Sequence, residues 1–167
     1  ASTGAATLDE TMAGDDLLRY ADAALNHAKG KGPGHSVLAA PDLLASATDQ
    51  LRLEDQLRTA LDHDQLALHY QPITTSTGHI VMAEALLRWP HPDRGLLSPG
   101  VILPVAEQAG LARELDQWVL RTAMTQAAAW PEHLSVAVNL GSFTPDAPDF
   151  ATPITTLLTE TGLAPTR

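Results

Sequence analysis

Glu84 and Arg88 stand four residues apart in the segment EALLRW, an acid and a base inside an otherwise apolar run. A strand sends alternate side chains to opposite faces, so Glu84, Leu86 and Arg88 point one way and Ala85, Leu87 and Trp89 the other. Two more polar side chains fall on strand-like segments: Gln71 in LALHYQPI, and Asn139 in LSVAVNLG, where Ser135, Ala137 and Asn139 share a face. Carboxylate and amide oxygens are hard ligands suited to Mg2+ or Mn2+, and a guanidinium offers phosphate a forked pair of hydrogen bonds. Together the four residues point to a metal-assisted phosphate site. Taken singly, Glu84 and Arg88 read more readily as a structural ion pair, and Asn139 as the cap of a strand end.

The elements that must carry these residues alternate between helix and strand, the mark of an α/β architecture. An apolar stripe of Leu17, Leu18, Ala21, Leu25 and Ala28 predicts a helix from about Asp15 to Lys29, followed by a short strand at HSVLAA. A second helix, with Leu53, Leu57, Ala60 and Leu61 on one side, leads into LALHYQPI and HIVMAEALLRW, two strands joined by TTSTG as a hairpin-like pair that ends at the loop PHPDRG. Ser98 is placed as N-cap and Pro99 at the first helical position of SPGVILPVAEQAG, which Pro104 should divide into two short pieces. ARELDQWVLRTAMTQAAAW is the clearest helix and LSVAVNLG the next strand; a last helix, FATPITTLLTETG, ends at Gly162, and LAPTR stands where a further strand is expected.

The 167 residues are 44% hydrophobic and only 4% aromatic, so the core must be built from Leu, Ala and Val. The net charge is −10 and the only lysines are Lys29 and Lys31. A nucleic-acid backbone needs a basic stripe, and its absence argues against DNA or RNA as a partner. With no cysteine, disulfides and thiolate metal sites are excluded, and the chain suits a reducing cytosol. No apolar run approaches the ~20 residues of a membrane span, and ASTGAATLDETMAG lacks the regions of a signal peptide. The expectation is a cytoplasmic chain, with any membrane anchor lying outside it.

YQPI, EALLRWPHPDRGLLSP, LPVAEQAGL and VAVNLG, in this order and at this spacing, closely resemble the EAL family of bacterial cyclic-di-GMP phosphodiesterases, over about Leu53 to Arg167. LLRYADAALNHAKGKG is similar to the last helix of a GGDEF diguanylate cyclase domain, the usual N-terminal neighbour of an EAL domain. The resemblance implies an incomplete modified TIM barrel preceded by the last helix and strand of an α/β GGDEF domain. Residues 1–40 would be the GGDEF remnant, 41–62 a linker helix and 63–167 the N-terminal part of the EAL domain. It implies a metal-dependent hydrolase that opens cyclic di-GMP to linear pGpG with two divalent cations, Mg2+ or Mn2+. Glu84 would be catalytic as a metal ligand, Asn139 a second ligand, and Gln71 and Arg88 contacts to the dinucleotide.

Several departures qualify this. A complete barrel takes roughly 250 residues, and the family's next metal-binding glutamate, its aspartate pair, its lysine and its later glutamate would lie beyond Arg167. Gly141 stands where the family usually has Ser. The chain alone is therefore expected to be inactive. Its alternatives are a non-catalytic cyclic-di-GMP receptor or protein-interaction module, and a chain whose open sheet edge pairs with a second copy, a homodimer through the EAL domain. His27, His35, His63, His69, His79, His91 and His133 show no ligand spacing and read as surface or packing residues. Trp118, Met124 and Trp130 read as core, and Glu107 as a helper of the site or an ordinary capping or surface residue.

Overall fold

The computed structural model describes residues 1–7, 14–39, 41–141 and 151–167. They form two compact units, Ala1–Leu53 and Glu54–Arg167.

In the first unit, strand β1 (Thr3–Ala5) pairs in parallel with β2 (Ser36–Leu38), and helix α1 (Gly14–Gly30) packs against both. Parallel neighbours need a crossover, which α1 supplies. Ala24 and Ala28 are fully buried, the apolar stripe of α1 meeting the two strands. Gly4 makes the approach possible, since a Cβ there would collide with the backbone of α1 at Ala21 and Leu25. β1 was not foreseen: three residues, TGA, carry no period, and their pairing is set by a partner more than thirty positions away.

Helix α2 (Pro41–Asp62) buries Leu57 and Ala60 in its second half, within the second unit. Strands β3 (Ala67–Thr74) and β4 (Ile80–His91) follow as an antiparallel pair, with Gly78 at φ 85° turning the chain between them. β4 continues through Pro90 to His91 and pairs with β5 (Gly95–Leu97). The PHPDRG segment is thus partly strand, a correction to the expected loop: Trp89, Pro90 and His91 take partners on β5, and Gly95, at φ 70°, allows the tight return. Helices α3 (Pro99–Gln108) and α4 (Ala112–Ala128) then cross over to β6 (Ser135–Val138), which lies parallel to β4.

α3 is a single helix, and Pro104 does not divide it. The carbonyl that Pro104 leaves without its helical donor belongs to Gly100, in the exposed first turn, where water can satisfy it. Ser98 is the N-cap and Pro99 opens the helix as expected, although the Ser98 hydroxyl makes no capping bond.

The core of the second unit lies on one face of the sheet. Ala85, Leu87, Trp89 and His91 of β4 are buried, whereas Glu84, Leu86 and Arg88 between them are half-buried. Leu120, Met124 and Ala127 of α4 join Leu157 of α5 (Ala151–Thr161) and Leu163, with Val136, Val138 and Leu140 packed against them. The start of this last helix at Phe150, as read from sequence, lies outside the described residues. Past α5 the Arg167 carbonyl accepts the Val136 N–H at 2.9 Å, beside β6 where a further strand was expected.

Candidate functional site

The pairing register brings the four polar residues onto one face. Gln71 on β3 stands directly opposite Glu84 on β4, and Glu84 directly opposite Ala137 on β6, so the three form one row across three strands. Ala67 faces Arg88 in the same way, four positions along. With period-two alternation, Ala67, His69, Gln71 and Ile73 of β3 share a face with Met82, Glu84, Leu86 and Arg88 of β4 and with Ser135 and Ala137 of β6. The opposite face carries the apolar residues that meet the helices.

Asn139 sits one residue past β6, and its Nδ2 donates to Glu84 Oε1 at 2.7 Å. This is a charge-assisted bond of short length. It leaves the other Glu84 oxygen and the Asn139 carbonyl oxygen outside the bond. The Arg88 Nη1 donates to the Leu87 carbonyl at 2.7 Å, which bends the guanidinium back along its own strand. Glu84 and Arg88 are not an ion pair: four residues along a strand separate them by about 13 Å. Glu84 is bonded instead to Asn139, so the strand-end reading of Asn139 is replaced by a contact between the two residues expected to hold metal.

Two adjacent oxygen donors on a half-buried carboxylate and an exposed amide suit Mg2+ or Mn2+ rather than a soft metal. No group of three or more His, Cys, Asp or Glu stands together among the described residues. The oxygen-bearing side chains brought side by side are those of Glu84 and Asn139.

Other residues noted in the sequence fall elsewhere. Glu107 is exposed on α3. Met124 is core, Trp118 is half-buried and donates Nε1–H to Asp64 Oδ1 at 2.9 Å, and Trp130 meets Tyr70 edge to face at 4.9 Å. His91 is buried packing: its Nδ1 accepts the Asp93 N–H at 3.1 Å, so the ring proton is on Nε2, which donates to Gln56 Oε1 at 3.1 Å. Tyr70, next to Gln71 but on the helix-facing side, has a buried hydroxyl without a hydrogen-bond partner among the described residues, and burial raises its pKa.

His69, read from sequence as a surface or packing residue, is exposed, on the same face as Gln71 and Glu84. Sequence reasoning passed over one residue. Asp116, on α4, is 4% exposed, and its Oδ1 accepts the Gly141 N–H at 3.4 Å. Its signal was available: Asp116 falls three and four residues before Val119 and Leu120, on the apolar stripe, where a carboxylate needs a reason.

An antiparallel hairpin followed by a parallel strand reached through a helical crossover, with helices on one face of the sheet and polar residues on the other, is a mixed α/β arrangement that matches part of a barrel. The EAL domain model matches residues 54–167, and the chain belongs to this family. It is 41% identical, over 132 residues, to the bifunctional diguanylate cyclase/cyclic di-GMP phosphodiesterase MucR of Pseudomonas aeruginosa, covering 76% of this chain and 19% of that protein. Against the solved structure of the PaMucR phosphodiesterase in complex with c-di-GMP, the TM-score is 0.64 at 37% identity, covering 69% of this chain and 49% of the other. The S helix-GGDEF-EAL structure of Vibrio cholerae LapD shares the fold, at 19% identity and a TM-score of 0.55, over 96% of this chain and 39% of its own. The chain spans about a fifth of the length of the curated relatives it matches.

Proposed function

We propose that the chain supplies the opening strands of the catalytic face of a cyclic-di-GMP phosphodiesterase, within a longer protein that hydrolyses cyclic di-GMP to linear pGpG. The observation that carries this reading is the 2.7 Å bond from Asn139 to Glu84 in the row shared with Gln71. The likeness to a phosphodiesterase solved with c-di-GMP supports it. Glu84 and Asn139 would hold a divalent cation, Mg2+ or Mn2+, through oxygen. When bound, such cations activate water and neutralise charge on the phosphate during in-line displacement. Asn139 keeps the Glu84 carboxylate oriented. Arg88 receives the phosphate with the donors not engaged by Leu87, and Gln71 contacts the dinucleotide. Water adds to phosphorus and gives up a proton, one ester P–O bond breaks, and the leaving oxygen takes up a proton in its place.

We place residues 1–40 at the end of a GGDEF-type domain, residues 41–62 as a linker helix and residues 63–167 as the start of the phosphodiesterase domain. The LapD fold likeness, which runs through nearly the whole chain, supports that order. No described helix is long and apolar enough to cross a membrane; we assign the site to the cytoplasm.

Glu84→Ala in the full-length protein that carries this chain tests the reading. Hydrolysis with Mn2+ should fall by at least about 100-fold, the scale of losses when support for a bound metal is removed. The unfolding midpoint should hardly move, because a half-buried polar substitution outside the core costs roughly 0.5 kcal/mol or less. Turnover at the parent rate removes Glu84 from the site, and retained binding in a parent that has no turnover assigns the receptor role instead.

A further inference from the structure

We propose that Asp116 is a positioning residue for Asn139, anchoring the loop that leaves β6 so that the Asn139 carboxamide stays on Glu84. The proposal rests on the reading of Glu84 and Asn139 as the metal-holding pair. The ladder between β4 and β6 ends at Ala85 opposite Val138, so Asn139 is the first residue beyond the strand register. Two contacts fix the backbone just after it. Leu140 packs against the cluster of Leu120, Met124 and Leu157, and the Gly141 N–H is donated to Asp116 Oδ1.

Asp116 is buried on α4 beside Leu115, Val119 and Leu120. A carboxylate in such a place is costly unless it is hydrogen-bonded, and this one spends part of its bonding capacity on the site loop. Because the donor is a main-chain N–H, the anchor does not depend on the side chain at 141. Among the described residues a Cβ at Gly141 would meet nothing within 4 Å, so these leave room for Gly or Ser at the anchor. The glycine that departs from the family pattern thus leaves the loop tethered.

The experiment uses the full-length protein that carries this chain, with Asp116→Ala, Asp116→Asn, Leu115→Ala as a core control, and Glu84→Gln. Mn2+ affinity is measured by calorimetry without nucleotide, and hydrogen exchange is followed over residues 136–141. Asp116→Ala should weaken Mn2+ binding about 10- to 100-fold and speed exchange at Gly141. Asp116→Asn, which keeps an acceptor oxygen, should recover most of both. Leu115→Ala should lower the unfolding midpoint while leaving both readouts near the parent's. Equal Mn2+ losses in Asp116→Ala and Leu115→Ala, or unchanged exchange at Gly141 in Asp116→Ala, overturn the proposal. Should Glu84→Gln bind Mn2+ like the parent, the metal reading falls by itself, and exchange at Gly141 still decides whether Asp116 holds the loop.

Discussion

In the proposed function the half-buried Arg88 and Glu84 have different tasks, ligand for one and metal for the other, and the two should fail differently when changed. Arg88→Lys keeps the charge but loses the fork, so affinity for cyclic di-GMP should drop roughly 10- to 100-fold, the value of one charge-assisted bond of about 1.5–3 kcal/mol. Metal binding should persist. Calorimetry with Ca2+ to suppress turnover reads both, and equal ligand affinity in the two proteins would take Arg88 out of the site. Tyr70 makes a different kind of prediction. Its phenol pKa is raised by burial, so the folded state holds the proton more tightly than the unfolded chain. That contribution to stability is complete below pH ~10, the unfolded value, and is lost as pH rises through the raised one. Tyr70→Phe should therefore match or exceed the parent in urea at pH 7, having removed a buried hydroxyl without a partner among the described residues, and should lose less stability in alkali. Much of the candidate site's placement was legible at this scale: the alternation in EALLRW put Glu84 and Arg88 on one face, and the register sets Gln71 directly opposite Glu84. The Asn139–Glu84 bond was not legible, because it joins residues 55 positions apart across a parallel pairing that no local pattern specifies.

Elements with a strong period were found, and of the three-residue strands only β2 was. The stripe of α1 and the alternation of β3 and β4 each announce themselves over eight or more residues. β1 and β5 have three residues each, too few for any period, and exist because a neighbouring edge accepts them. Pro104 misled for a related reason: its penalty depends on whether the orphaned carbonyl can reach water, and near the start of α3 it can. Gly4 gives the element-scale prediction. Gly4→Ala presses a methyl into the backbone of α1 and should destabilise the first unit by about 1–3 kcal/mol, the usual cost of overpacking. Denaturant unfolding monitored by exchange in residues 14–30 would show it, and an unchanged midpoint would mean that β1 can move off the helix at no cost. The second unit should be unaffected, since Gly4 packs within the first.

In the second unit the described strands form a four-stranded sheet, with its polar face carrying two candidate oxygen ligands, and no group of three acidic or histidine side chains stands together among the described residues. Residues 1–167 purified alone should show no cyclic-di-GMP hydrolysis and bind Mn2+ weakly, because two donors hold a divalent ion poorly against water. Exposed Ile73, Ile80, Val81 and Leu96 at the strands should make the chain self-associate or bind a hydrophobic dye. Sedimentation with dye titration checks this; a dispersed monomer with a sharp transition and measurable turnover would contradict it. The strict in-and-out order of β4 also limits how the molecule can change length. Removing or adding one residue between Glu84 and Arg88 would turn the guanidinium toward the helices and a leucine toward the ligand, whereas a change of two restores the facing of both. Drift in this segment is confined to even steps, a parity rule that an odd-length variant can meet only by opening a compensating bulge.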